Sequence, residues 1–420
     1  MKTPEQEADM KTVWGKDYNG YLDYVTAWYK KAVDYFENVE NPGEFAFVST
    51  NSITQGQPVA ALFRPIFAAG WKISFAYRTF TWANESNYQA HVHCVIIGMT
   101  RNLDAPVTVF DTPVKSNVAT PTQVTHLNGY LAEGPDVFIE KRSKPLSNLI
   151  PPVNYGSKPA DGGNLIVEPA VYDAVAADPV AAKYLRRFVG TRELLHGEDR
   201  WCLWMENLDP ADLSKSTILK QRVSACKEFR LASKKIPTQK LATTPYLFGE
   251  RRQPEVPYLC IPRHVSENRL FFTAQRYSAD VICGDANFAA PEEDGFLFGL
   301  ISSSMFIAWQ RTIGGRLKSD LRFSNTVVWN NFPLPEISAA EREAIIQAGE
   351  GVLAVRNLQP EESLADLYNP LAMSPELLKA HANLDHVVDA AFGPTAKNPT
   401  ETDRLQHLFG LYHSATACNP

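Results

Sequence analysis

The sequence predicts an α/β fold at the N-terminus, an α+β region in the middle and a small helical domain at the C-terminus. Three observations carry this. Over the first 110 residues apolar positions switch between helical and strand spacing in the order helix, strand, helix, strand, strand. The middle third combines strand-like runs, RWCLWMENL (200–208) and GRLKSDLRFS (315–324), with a basic helix near 215–240. After Pro335 the composition turns acidic and reads as amphipathic helices.

Each element follows from its residues. YLDYVTAWYKKAVDYF places Leu22, Val25, Tyr29, Val33 and Phe36 at helical spacing. EFAFVS is a short apolar run between Asn-Pro-Gly and Thr-Asn-Ser, which suits a buried parallel strand. A second helix covers roughly Pro58 to Ala68, followed by strands at WKISFAY and HVHCVIIGM with a polar loop between them. Residues 104–125, rich in Pro, Thr and Val, read as a linker. Beyond Pro335, three helical stretches have Ser338, Ser374 and Thr400 as N-caps. The domains expected are 1–115, 126–335 and 336–420.

Composition excludes several classes. The chain has 420 residues, 45% hydrophobic and 21% charged, as in an ordinary globular protein. No run of about 18 apolar residues is present, so no membrane span is expected. The N-terminus MKTPEQEADMK lacks an apolar signal core, which points to the cytoplasm. Six cysteines are scattered without a CxxC pair, which argues against a zinc site or a disulfide framework. His91 and His93 alternate on one strand, but no third ligand lies near them, so no metal is expected. The net charge of −6 conceals a basic middle: −4 over Met1–Asp136, +5 over Val137–Pro335 and −7 thereafter. Affinity for phosphates needs a local patch, and only that middle part supplies one.

Longer motifs narrow the reading. FVSTNSITQG (47–56), FAYRTFTWANE (75–85) and HVHCVIIG (91–98) resemble successive motifs of MmeI-like DNA adenine methyltransferases. GYLAEGPDVFI (129–139), GSKPADGG (156–163), RWCLWMENL and GRLKSDLRFSNTVVWNNFPLP (315–335) resemble that family's target-recognition region. The likeness implies the C-terminal half of a Rossmann-like class I methyltransferase sheet, then a target-recognition domain, then a helical domain. It implies double-stranded DNA as partner and S-adenosylmethionine as cofactor of the complete enzyme.

Two expected elements are missing from the sequence. One is a Gly-rich turn after a first strand, where backbone approaches the cofactor closely. The other is the Asn/Asp-Pro-Pro-Tyr/Phe element of amino-methylating enzymes; Ile-Pro-Pro-Val (150–153) and Asn-Asn-Phe-Pro (330–333) have the wrong order. The expectation is that the chain alone neither binds the cofactor tightly nor methylates DNA. An upstream catalytic polypeptide would complete the sheet beside the strand at 45–49, whose edge is otherwise bare. Two readings stay open: a recognition half that works with such a polypeptide, or a non-catalytic DNA-binding remnant.

Candidate sites follow. Chemistry on a duplex base requires extruding it into an apolar or aromatic pocket. The resemblance assigns Phe80 and Trp82 to that pocket; the alternative is that both rings are sheet core. Thr50 and Asn51 lie just past a strand's carboxyl end, where open sheets bind ligands, although Asn51 also suits a turn or cap. If GRLKSDLRFS is extended, Lys318, Asp320 and Arg322 share one face and 317, 319, 321 and 323 the other. Those three side-chain types match guanine and cytosine edges, and the family reads bases with this segment; a solvated ion-pair face is the alternative. Arg316, Lys220, Arg222, Lys227, Arg230, Lys234, Lys235 and Lys240 are candidate DNA-backbone contacts, with Arg263 and Arg269 weaker ones. For the 215–240 stretch, a solvated helix is the alternative.

Overall fold

A computed structural model describes residues 2–37, 39, 43–82, 92–112, 118–317, 319–393 and 398–417. Packing divides the chain into two units, each discontinuous in sequence. Unit 1 is Met1–Asn148, Ala308–Glu336 and Phe392–Pro420; unit 2 is Leu149–Ile307 and Ile337–Ala391.

Unit 1 is built on helices α1 (Pro4–Trp14), α2 (Thr26–Phe36) and α3 (Gln57–Ala68) and strands β1 (Glu44–Thr50), β2 (Lys72–Trp82), β3 (Val92–Thr100), β4 (Val107–Asp111) and β5 (Thr120–Val124). The sheet order is β1-β3-β2-β4-β5. β3 runs antiparallel to both β1 and β2, β4 is parallel to β2, and β5 returns antiparallel. Two expectations are corrected here. β1 is not a buried parallel strand: among the described residues it pairs only with β3, antiparallel, at the end of the sheet. The 104–125 stretch is not a plain linker but supplies β4 and β5. Val107 and Val109 alternate into the core, and Pro121 is tolerated because β5 lies at the opposite end of the sheet.

Residues directly opposite one another across strands project to the same face. One face carries the row Phe47–Ile97–Ala76–Val109. Tyr29 of α2 packs there against Phe45 and Phe47, and Ile97, Ala76 and Val109 are buried. The opposite face carries Val48–Ile96–Tyr77–Phe110, flanked by Ala46–Gly98–Phe75 and Thr50–Cys94–Phe80. A β-bulge between Tyr77 and Phe80 moves Phe80 and Trp82 onto the same side as Tyr77. The Phe75 ring lies over Gly98 so closely that a Cβ there would stand 2.1 Å from it, which requires glycine. The rings of Tyr77 and Phe110 stack at 4.3 Å.

Several long motifs prove to be braces. In unit 1, Asn331 donates from Nδ2 to the carbonyls of Glu140, Thr326 and Val327, and Asn330 donates to Arg142. Trp309 and Tyr130 pack against Phe409 of the C-terminal helix Glu401–Ala417. In unit 2, GSKPADGG is organised by buried Asp161, which accepts from the backbone N–H of Gly163 at 3.0 Å, of Ile166 at 3.3 Å and of Leu165.

Unit 2 holds two four-stranded sheets. One orders Gln275–Tyr277, Tyr258–Pro262, Asn287–Pro291 and Asn154–Tyr155. The other orders Ile282–Cys283, Leu185–Val189, Trp201–Leu203 and Ile166–Val167, so RWCLWMENL contributes a core strand. Past Pro335 come helices Ala339–Arg356, Pro375–Phe392 and Glu401–Ala417, with a short turn of helix at Leu364–Leu367. Ser338, Ser374 and Thr400 accept from the backbone N–H three residues on, at 3.2–3.3 Å. Buried His381 joins this region by donating from Nδ1 to Ser302 O, leaving Nε2 to accept from Tyr368 OH at 2.7 Å.

Candidate base pocket and nucleic-acid interface

The first cluster forms where β1 and β2, both antiparallel to β3, end side by side. Thr50, Cys94 and Phe80 stand in one row across the three strands, and Trp82 pairs with Val92 just beyond. Asn51 leaves β1 in a 3-10 turn and donates from Nδ2 to Thr79 Oγ1 at 3.4 Å. The Thr50 and Ser52 hydroxyls are 2.9 Å apart, and Ser52 Oγ donates to Asp23 Oδ2 at 2.5 Å. The four residues expected to share a pocket therefore do share one strand end. Phe80 is half-buried and Trp82 is 53% exposed, their centroids 6.2 Å apart, so neither ring is enclosed in the sheet core. Burial pushes the Cys94 thiol above its ordinary pKa. Hydroxyls, one amide and aromatic faces suit a neutral planar ring held by stacking and hydrogen bonds. His91 lies outside the described residues, and among those described no cluster of three metal-ligating side chains occurs.

Sequence reasoning missed Asp23, Ser52 and Thr79. Asp23 falls just ahead of α2, where a carboxylate reads as a routine helix-start residue. Nothing in the sequence ties it to a strand end 29 residues away.

The second cluster corrects an expectation about shape. GRLKSDLRFS is not one extended strand but a hairpin, Gly315–Leu317 against Asp320–Arg322, reversing through 318–319. Lys318 lies outside the described residues. The reversal resets the alternation: Gly315 faces Arg322 and Leu317 faces Asp320, so Leu317, Asp320 and Arg322 share a side. Arg316 and Leu321 share the other, where Leu321 is 1% exposed and anchors the hairpin. Arg316 donates from Nη1 to Ser319 O at 2.8 Å and braces the turn from behind. Gln310 holds the second strand by donating to Arg322 O at 3.1 Å. The side chains of Asp320 and Arg322 are exposed and have no ion pair or hydrogen bond among the described residues. A mutually satisfied ion-pair face is therefore not what this hairpin presents.

The third cluster is the helix Thr217–Leu231 with the short helix Ile236–Lys240, where a plain loop was expected. Leu219, Val223, Cys226 and Arg230 are buried at successive helical turns. Lys220, Lys227, Lys234, Lys235 and Lys240 are exposed. The arginines differ. Arg230 is 0% exposed and spends all five donors on the carbonyls of Pro159, Ala160, Leu241, Thr244 and Leu247, at 2.7–3.0 Å. Arg222 donates to Asn164 O and Ile166 O, both at 2.9 Å, and Arg269 to Leu364 O and Ala365 O. Burial lowers all three below the usual guanidinium pKa. Arg222, Arg230 and Arg269 are thus internal ties rather than a phosphate-facing row. Their neighbours' carbonyls, invisible in sequence, claimed them. Arg263 is half-buried with its guanidinium 5.5 Å from the centroid of the Tyr155 ring.

Comparison with known proteins places these features. The MmeI DNA-methyltransferase domain matches residues 1–111, the MmeI target recognition domain 133–336, and the MmeI C-terminal domain 337–418. The chain is similar to DNA methyltransferase A of Bacillus subtilis (strain 168), 33% identical over 419 residues, 98% of this chain but 46% of that protein. It also superposes on the structure of the Type IIL restriction-modification enzyme MmeI in complex with DNA. The TM-score is 0.83 at 38% identity, covering 99% of this chain and 55% of that one. The chain thus spans about half the length of these relatives. With the three domain matches in sequence order and a mixed α/β structure that superposes throughout, this chain belongs to the MmeI family of DNA methyltransferases.

Proposed function

We propose that this chain is the DNA-reading part of a restriction-modification type adenine-N6 methyltransferase and that its chemistry requires an upstream catalytic polypeptide. The observation that carries the reading is the hairpin at 315–322. Leu321 fixes it to the core, while the exposed Asp320 and Arg322 keep their hydrogen-bonding capacity unspent. A carboxylate accepts from cytosine N4 and a guanidinium forks onto guanine, so such a pair discriminates base edges in a major groove. Lys318 belongs to the same turn, and Arg316 and Arg263 are assigned to supporting contacts. Lys220, Lys227, Lys234, Lys235 and Lys240 would follow the phosphates. Phe80, Trp82, Thr50 and Asn51 would receive the flipped adenine.

The functional segments are 1–115, 126–335 and 336–420, acting in the cytoplasm. S-adenosylmethionine is assigned to the upstream polypeptide. The strand-to-helix glycine turn present here, Gly56 between β1 and α3, does not fit it: a Cβ at Gly56 would lie 3.6 Å from Ile313 O, so protein backbone already fills that cradle. The unpaired edge of β1 favours this reading over a free-standing binder. The test is selection of preferred duplexes from a randomised pool by the purified chain, followed by methylation assays with and without the upstream polypeptide. A defined site and methylation only in the mixture support the reading; binding without sequence preference overturns it.

A further inference from the structure

The sheet of unit 1 has helix α2 packed on one face only. A mixed sheet of doubly wound type is stable when both faces are covered. Here the second face exposes an apolar row running across four strands, Val48–Ile96–Tyr77–Phe110, continued by Phe80 and Trp82. Val48 is 50% exposed and Trp82 53%, and Val92 between them is 42% exposed. Contiguous apolar surface of this kind marks an interface rather than chance exposure.

We propose that this face is an interaction surface for the same upstream polypeptide, which lays an apolar helical layer over Val48, Ile96 and Tyr77 as well as adding a strand at the edge of β1. The inference rests on the functional reading above. Three observations select this occupant over a second copy of the chain. The relatives are about twice as long as this chain, and the segment matched as methyltransferase domain is its first 111 residues. Val48 also lies both on the uncovered face and on the unpaired edge strand, so one polypeptide can cover both. The proposal adds a second, face-on contact to an edge-on one, and leaves the Phe80–Trp82 end as the part where the layer stops and the base enters.

The test uses the full chain carrying Val48→Cys, with Lys227→Cys as a control on unit 2, and the polypeptide encoded directly upstream of the Met1 codon. Maleimide labelling is read by peptide mass, so that other thiols do not interfere. Co-elution and DNA methylation are followed on the same samples. The expected result is rapid labelling of V48C in the chain alone, its loss on assembly, and unchanged labelling of K227C. V48C that stays reactive in a co-eluting, methylating assembly overturns the face contact while sparing the functional reading. Protection without methylation does the reverse. Protection of V48C in the chain alone, at concentrations where it elutes as a dimer, overturns the choice of occupant, and absence of co-elution overturns both.

Discussion

Arg230→Met isolates a distinction made within one helix. Methionine keeps the apolar stem but removes five donors, leaving the carbonyls of residues 159, 160, 241, 244 and 247 without their partner. A buried carbonyl deprived of its partner costs about 1–3 kcal/mol. All five residues are half-buried, so water can reach part of the site, and the terms do not add fully. Taking the lower bound for each gives a loss of about 4–5 kcal/mol, at the extreme of single substitutions. For a unit of this size that corresponds to a fall of roughly 8–20 °C in melting temperature. The assay is thermal unfolding of the purified variant beside DNA titrations at two salt concentrations, with Lys227→Ala as the companion. Lys227→Ala should melt like the parent. An Arg230→Met protein that also melts like the parent but shows a shallower salt dependence would refute the internal-tie assignment and return Arg230 to the phosphates.

Other outcomes follow from the same geometry. Asp320→Ala, Arg322→Ala or Lys318→Ala should each relax preference at one base pair, with a loss of about 1–3 kcal/mol on the preferred site, read by competition between single-substituted duplexes. Uniform weakening on every sequence would mark them as backbone contacts instead. Lys220→Ala or Lys227→Ala should weaken binding on all sequences and lower the slope of log affinity against log salt by about one each. An unchanged slope would leave them as solvated surface. Burial pushes the Glu292 carboxyl, which accepts from Phe298 N at 2.7 Å, up to about 7 from an ordinary 4.5. The folded protein then binds a proton that the unfolded chain releases. Its stabilising effect is complete below pH 4.5 and disappears as pH rises through 7. Glu292→Gln should flatten the stability–pH curve across that window, and an equal slope in both proteins would contradict the assignment.

How much the sequence could reveal depended on what each feature requires. Helices α2 and α3 and the C-terminal caps were legible because spacing and an N-terminal hydroxyl act within a few residues. The shared side of Phe80 and Trp82 was legible from their two-residue spacing. Their joining of Tyr77 depends on the bulge before Phe80, which only the register with β3 shows. The hairpin at 318–319 was hidden because Lys-Ser is not a strong turn pair, and the alternation of GRLKSDLRFS reads equally well as one strand. Strands β4 and β5 were hidden in a Pro- and Thr-rich stretch whose pairing partners lie elsewhere in the chain. The basic run at 215–240 misled most. Charge is visible in sequence, but the carbonyls that bind Arg222 and Arg230 lie up to 71 residues away.

The most direct test of the central claim is N6-methyladenine formation on duplex DNA by the purified chain with S-adenosylmethionine, alone and mixed with the polypeptide encoded directly upstream of Met1. The account predicts sequence-selective DNA binding but no methylation by the chain alone, and methylation at the selected site in the mixture. Methyl transfer by the chain alone, abolished by Phe80→Ala, would contradict it and place the catalytic elements within these 420 residues.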